Sequence, residues 1–286
     1  MIQDYLIAGF RLRMEGEPLV KAVAGIRGFG TFAAETAEEA HFRIVWTEEA
    51  APDFTDDLYR TEQELTSNRF GRYDQGYLFE TRYHADDSQR LRIWLPEGGE
   101  TAYVHGYLEP NLLRFACWIA FGILIAPHKA VAIHTSAIVF HDKAVLFLGE
   151  SGTGKSTHTR LWRENIAGAT LLNDDSPIVR IHNGIPYVYG SPWSGKTPCF
   201  KAEMHELVGC VRLSQAPYNE IRKLNVMQAY AALHPSCPPD FAYDEKLYDP
   251  ISEVLNDILT QTPVYHLACL PNAEAAHLSC KTIFGI

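Results

Sequence analysis

Residues 149–156 read Gly149-Glu150-Ser151-Gly152-Thr153-Gly154-Lys155-Ser156, a full GxxxxGK[ST] pattern. An apolar run (144–148) precedes it and a helix-forming stretch (155–164) follows. Residue types in this order suit a polyphosphate. Glycines let the backbone curl so that successive N–H groups point at phosphate oxygens, and the helix N-terminus adds partial positive charge. Lys155 is expected to reach the β- and γ-phosphates, and the Ser156 hydroxyl to sit on Mg²⁺. With Thr157, residues 149–157 form the expected ATP-binding stretch. One helix farther on, the apolar run 169–172 ends in Asn173-Asp174-Asp175. Two carboxylates there can divide two tasks, one holding Mg²⁺ and the other taking a proton from an attacking hydroxyl.

These groups work together only if the elements carrying them share one end of a sheet. Loop and acidic pair form a strand–loop–helix–strand unit, and the two strands are expected to be neighbours. Upstream, strand 130–140, the turn His141-Asp142-Lys143 and strand 144–148 make an antiparallel hairpin. Strand 185–189 leads into a second small-residue loop, Gly190-Ser191-Pro192-Trp193-Ser194-Gly195-Lys196-Thr197. There Lys196 is expected to offer a second cation to the transferred phosphoryl group, and Trp193 an exposed ring. Arg212, Arg222 and Lys223 are further phosphate contacts without a distinguishing context.

The first hundred residues carry strand-like alternation at 5–14, 41–46, 76–83, 90–95 and 101–108, with a surface loop over 47–57. Gly25-Ile26-Arg27-Gly28-Phe29-Gly30 imitates a phosphate loop, but no strand feeds it. The run 112–126 is apolar, contains Arg114 and stops at Pro127. At 15 residues it falls short of the roughly 20 a membrane span needs and reads as a buried helix. Later helices are expected at 225–233, 250–260 and 272–283.

The composition, 47% apolar and 21% charged, belongs to a globular chain and excludes disorder. Net charge is −10, of which residues 1–110, with 20 acidic and 11 basic side chains, hold −9. Such a surface repels phosphate backbones, so nucleic acid is not an expected partner. Six cysteines show neither CxxC nor finger spacing, and no leader-like segment opens the chain. The expectation is a cytoplasmic protein with reduced thiols and no membrane association.

His134-Thr135-Ser136, the hairpin, the loop at 149–156 and Asn173-Asp174-Asp175 together resemble the catalytic domain of HPr kinase/phosphorylase. That family shares its core with the ATP-dependent phosphoenolpyruvate carboxykinases. The resemblance covers about residues 127–185 and marks the chain as a divergent member. Thr157 stands where the family usually carries an acidic residue, and its C-terminal signature is not recognisable here.

The patterns of the first half set a smaller β-rich domain at 1–110 and a buried linking helix at 111–126, and the resemblance implies an α/β (α+β) fold with a phosphoenolpyruvate carboxykinase-like core and a mixed sheet over 127–286. It implies that His134 lies beside the acidic pair, that Asp174 is the general base, and that Asp175 and Ser156 lie at the metal. The implied reaction is transfer of the γ-phosphate of ATP, with Mg²⁺, to a serine of a peptide or protein. A small hydroxylated metabolite as acceptor, a non-catalytic ATP sensor and a homo-oligomer stay open.

Overall fold

The computed structural model describes residues 1–195 and 197–286, which form two compact units. The first comprises Met1–His128 and Pro239–Tyr248, the second Lys129–Pro238 and Asp249–Ile286. Together they hold two nine-stranded mixed sheets and six α-helices among the described residues.

In the first unit the strands are β1 (Ile2–Ile7), β2 (Phe10–Glu15), β3 (Ala33–Ala34), β4 (Phe42–Trp46), β5 (Asp56–Glu62), β6 (Thr66–Tyr73), β7 (Gly76–Tyr83), β8 (Arg90–Pro96) and β9 (Thr101–Gly106). They are ordered β3-β1-β2-β4-β9-β8-β7-β6-β5. The run 5–14, expected as one strand, is a hairpin. Ala8 and Gly9 take φ of 51° and 77°, the pair of left-handed residues that a two-residue turn needs. Helix α1 (Glu17–Ala24) follows β2, and residues 29–32 form only a 3₁₀ turn, so the Gly25–Gly30 stretch is no strand-fed loop.

Helix α2 (Pro110–Ile125) starts on the Glu109 carboxylate, which accepts from the Asn111 and Leu112 amides. Pro110 suits the first helical position, where no amide hydrogen is needed. The helix contacts β7 and β8 and buries Leu113, Ala116, Ile119 and Ala120. It does not stop at residue 126. A 3₁₀ turn carries it on, so Pro110–His128 is long and apolar enough to cross a membrane, with 67% of its most apolar window buried within the protein.

Residues 239–248 belong to this same unit. Phe241 packs on Phe70 with ring centroids 5.6 Å apart. Its ring crowds Gly122, where a Cβ would meet it at 3.0 Å. Asp244 accepts from Arg72 Nε at 2.8 Å and from the Tyr77 hydroxyl at 2.9 Å. Burial pushes the Asp240 carboxyl up to about 6.

The second unit holds β10 (Ala130–Ala132), β11 (Thr135–Phe140), β12 (Lys143–Leu148), α3 (Lys155–Asn165), β13 (Thr170–Asp175), β14 (Ile178–His182), β15 (Ile185–Tyr189), β16 (Met204–Gln215), β17 (Glu220–Lys223), α4 (Val226–Leu233), α5 (Glu245–Gln261, whose first four residues cluster with the first unit), β18 (Val264–Cys269) and α6 (Ala273–Phe284). The sheet runs β10-β14-β15-β16-β12-β11-β13, and β18 joins β16 to β17. Pairing is antiparallel except for β12–β16 and β16–β18. The run 130–140 is two strands, because β10 pairs with β14 while β11 pairs with β12 and β13.

The β11–β12 turn is His141-Asp142, both with positive φ (49° and 60°), again the two-residue hairpin geometry. Val145 and Phe147 of β12, Val211 and Leu213 of β16 and Leu267 of β18 face a core completed by Leu161 and Trp162 of α3 and Ala276 of α6. Ser279 of α6 accepts from Trp162 Nε1 at 2.9 Å and bonds His158 Nε2 at 3.1 Å. Helix α5 begins five residues before the expected 250, so Pro250 lies inside it. All six cysteines are unpaired.

Candidate active site

The loop strand β12 and the acidic strand β13 are not neighbours as expected, since β11 lies between them. Both run antiparallel to β11, hence parallel to each other, so residues 149 and 175 still emerge at one end of the sheet. The register of β11 completes that end. Ser136 stands opposite Asp174 and Thr135 opposite Asp175, with His134 one residue earlier.

Gly149 has φ 156°, and a Cβ there would lie 2.3 Å from Thr153 Oγ1, so the first loop position takes glycine alone. The loop carbonyls are turned aside and used. Lys155 Nζ donates to Gly149 at 2.6 Å and to Glu150 at 3.2 Å, Thr153 Oγ1 donates to Glu150 at 2.8 Å, and Gln215 donates to Gly152 at 3.2 Å. Helix α3 starts on Gly154 in the left-handed conformation with no side-chain cap. Its first amides thus have no side-chain acceptor at the point where the dipole favours an anion. Burial pushes the Lys155 ammonium down from its usual value, against the opposing pull of Asp175 and Asp174.

Asp174 is 4% exposed and fully engaged. Its carboxylate accepts from the Ser136 hydroxyl, from the Ser156 hydroxyl at 3.1 and 3.2 Å, and from the Thr197 amide at 3.1 Å. Asp175 is the more open of the two, its side chain 32% exposed, and its Oδ1 lies 3.1 Å from His134 Nδ1. On the other side of that ring, Lys155 Nζ donates to Nε2 at 3.1 Å. An ammonium has no lone pair, so Nε2 must accept, and the imidazole proton sits on Nδ1 facing Asp175. Lys155, His134 and Asp175 therefore form one hydrogen-bonded chain.

The resemblance set Ser156 and Asp175 at the metal and Asp174 as the base. The Ser156 hydroxyl meets Asp174, because the register of β11 and the Thr197 amide aim Asp174 at α3, while Asp175 turns to His134. The backbone of Asp175 is held at φ 148°, an unfavourable region for any residue but glycine. Pairing with Thr135 and a bridge to Ser194 hold it there.

The loop 190–197 is tied to the strand end by Asn173, whose amide donates to the Ser191 and Trp193 carbonyls at 3.3 and 3.1 Å. Trp193 is buried at 2% exposure, not exposed as its loop position suggested. Lys196 lies outside the described residues. Gly195 touches the acidic pair so closely that a Cβ would meet the Asp174 carbonyl at 2.9 Å and Asp175 Cβ at 3.2 Å.

Sequence reading missed the roles of Ser136 and Gly195. Only the pairing of β11 with β13, which is non-local, reveals them. His134, Ser136, Lys155, Ser156, Asp174 and Asp175 line a cavity of about 350 Å³ with the loop Ser151–Ser156 as its wall. Beyond Gly152 and Gly154 lies a second cavity of about 600 Å³, lined by Thr157, Leu161, Leu213, Ala216, Leu270 and Pro271.

Among the described residues no group of three or more His, Cys, Asp and Glu side chains could enclose a metal. Ser156 and Asp174 offer oxygen alone from two side chains. That set fits Mg²⁺, which takes oxygen ligands and completes its shell with phosphate and water rather than with a full protein cage.

No family model matches the chain, and no curated protein matches it. Among solved structures, it is similar to the Hpr(Ser) kinase/phosphatase from Coxiella burnetii at 12% identity. The match covers 52% of this chain and 85% of that one, with a TM-score of 0.31, a distant likeness.

Proposed function

We propose that the chain is a Mg²⁺-dependent phosphotransferase that moves the γ-phosphate of ATP to a hydroxyl, a serine of a peptide or protein being the first choice. The observation that supports it most is the convergence of three features at one sheet end. These are the loop 149–156, the Ser156–Asp174 contact and the Lys155–His134–Asp175 chain.

The loop amides and Lys155 hold the phosphates, and the larger cavity beyond Gly152 takes the base. Ser156 and Asp174 would hold Mg²⁺, which supplies charge neutralisation at the β- and γ-phosphates. Asp175 accepts the proton of the acceptor hydroxyl. The oxygen so freed bonds to the γ-phosphorus as the bridge to the β-phosphate breaks, and ADP leaves. His134 orients Asp175 and links it to Lys155.

The test is transfer of label from γ-labelled ATP, with Mg²⁺, into proteins and peptides of the cell that makes the chain. Lys155→Ala serves as control. Label on a discrete species that disappears in the variant supports the kinase. Tight ATP binding without turnover in any mixture replaces it with a nucleotide sensor.

A further inference from the structure

One cation stands at the loop without a role in the reading above. Arg212 lies at the C-terminal end of β16, and the parallel register of β16 with β12 sets it opposite Leu148, the residue before the loop. Its neighbours Val211 and Leu213 face the α3 core, so Arg212 projects from the other face of the sheet. There its Nη2 lies 3.5 Å from the Glu150 carboxylate, and its Nη1 donates to the Ala232 carbonyl at 3.4 Å in the last turn of α4. The two partners differ in kind. Ala232 offers a fixed backbone acceptor that steadies the guanidinium. Glu150 is 82% exposed, a carboxylate on the loop itself. Arg212 is also near enough to Lys155 that its charge helps hold that ammonium low.

Resting on the nucleotide reading above, we propose that Arg212 is the residue that tells a triphosphate from a diphosphate, exchanging Glu150 for an oxygen of the γ-phosphate. A planar guanidinium binds phosphate through paired N–H groups, and an exposed, weak ion pair to Glu150 is easily surrendered for it. The Ala232 contact persists through the exchange, so the side chain pivots about a fixed point. In the transfer step the same contact neutralises charge on the moving phosphoryl group, the part arginine plays in other phosphoryl-transfer sites.

The experiment is calorimetric titration of the full chain with ADP and with the non-hydrolysable triphosphate AMP-PNP, both with Mg²⁺. The wild type binds AMP-PNP more tightly than ADP. Arg212→Ala loses about 10- to 100-fold of AMP-PNP affinity, the worth of one hydrogen bond to a charged group, with ADP affinity within about twofold of wild type. Arg212→Lys restores part of the preference.

Glu150→Gln acts in the opposite direction, raising AMP-PNP affinity more than ADP affinity, and it reads the same contact if Arg212→Ala does not fold. A purely structural Arg212, serving only to tie α4 to β16, would lower melting temperature and both affinities alike and leave their ratio unchanged. An unchanged ratio in Arg212→Ala or Glu150→Gln, or a wild type indifferent to the third phosphate, overturns the assignment while leaving the nucleotide site intact. A wild type that binds neither ligand removes the nucleotide reading, and this assignment with it.

Discussion

The Ser156 hydroxyl, in the first turn of α3, donates to both oxygens of the Asp174 carboxylate near the end of β13, at 3.1 and 3.2 Å. On the reading proposed above, Asp174 would hold the metal and Asp175, whose carboxylate faces His134, would take the substrate proton. Two adjacent aspartates thus point to different partners, as alternation along a strand requires.

The two carboxylates should therefore fail differently. Asp175→Asn is expected to retain Mg²⁺-dependent ADP binding and to lose transfer by about 10²- to 10⁴-fold, the usual worth of a positioned general base. Asp174→Asn is expected to lose the Mg²⁺-dependent part of nucleotide affinity, about tenfold or more. Titrations with and without Mg²⁺, beside a transfer assay, separate the two. Equal loss of metal dependence in both variants would refute the division.

The backbone of Asp175 supplies an independent check. At φ 148° a Cβ is strained by about 1–3 kcal/mol, more than the conformational entropy that glycine costs. Asp175→Gly should melt higher than Asp175→Ala, the reverse of the usual order, while both are inactive in transfer. Thermal melts of the two variants read this directly.

Gly195 limits how closely the second loop can approach. Its Cβ position lies 2.9 Å from the Asp174 carbonyl, and its amide donates to that carbonyl, so Gly195→Ala must move either the loop or the acidic pair. Transfer is expected to fall at least about tenfold, about 1.4 kcal/mol of barrier, with ADP affinity measured without Mg²⁺ unchanged, since among the described residues no hydrogen bond of the 149–156 loop reaches residue 195. A kinetic comparison with wild type settles the point.

Acid affects the two units with opposite sign. Burial pushes His158 in the second unit down to about 4 from 6.5, so between these values the unfolded chain binds a proton that the native chain refuses. That stability is present above pH 6.5 and lost as pH falls toward 4, by about 3 kcal/mol at most. Asp240 in the first unit is raised to about 6 from 3.8, so its native state holds the extra proton. Its contribution is present below pH 3.8 and lost as pH rises through 6, again by about 3 kcal/mol at most. Asp240→Asn should raise the melting temperature at pH 7.5 and change little at pH 4. His158→Gln should gain on wild type as pH drops from 7 to 4.5. Variant and wild-type curves that stay parallel across this range contradict both assignments.

Much of the site was legible because its chemistry is local. A glycine-rich turn, a lysine and a hydroxyl fall within eight residues, and the apolar runs beside them mark β12 and β13. What was not legible depends on register. Nothing near Asp174 or Asp175 says which faces α3, because the answer is set by Ser136 and Thr135 across the sheet. Ala8-Gly9 hides a hairpin because it lacks the asparagine or aspartate that usually announces such a turn. Trp193 looked exposed from its small-residue surroundings, yet the Asn173 amide holds the Ser191 and Trp193 carbonyls and the ring is buried. Strands β5 and β6 escaped notice because their polar residues are spent on one another, Asp57 with Arg60 and Arg69, rather than on an alternating apolar face.

The first unit is also unfinished in time. Its sheet offers the Arg72 guanidinium and the Tyr77 hydroxyl, and α2 the bare backbone of Gly122, to partners that lie far along the chain, at Phe241 and Asp244. During synthesis these surfaces emerge early and must wait while all of β10 to α4 is made. An N-terminal domain ordinarily closes as it leaves the ribosome. Here closure with Phe241 and Asp244 follows translation past residue 244, and a chain cut short before that point would leave Arg72, Tyr77 and Gly122 without these partners.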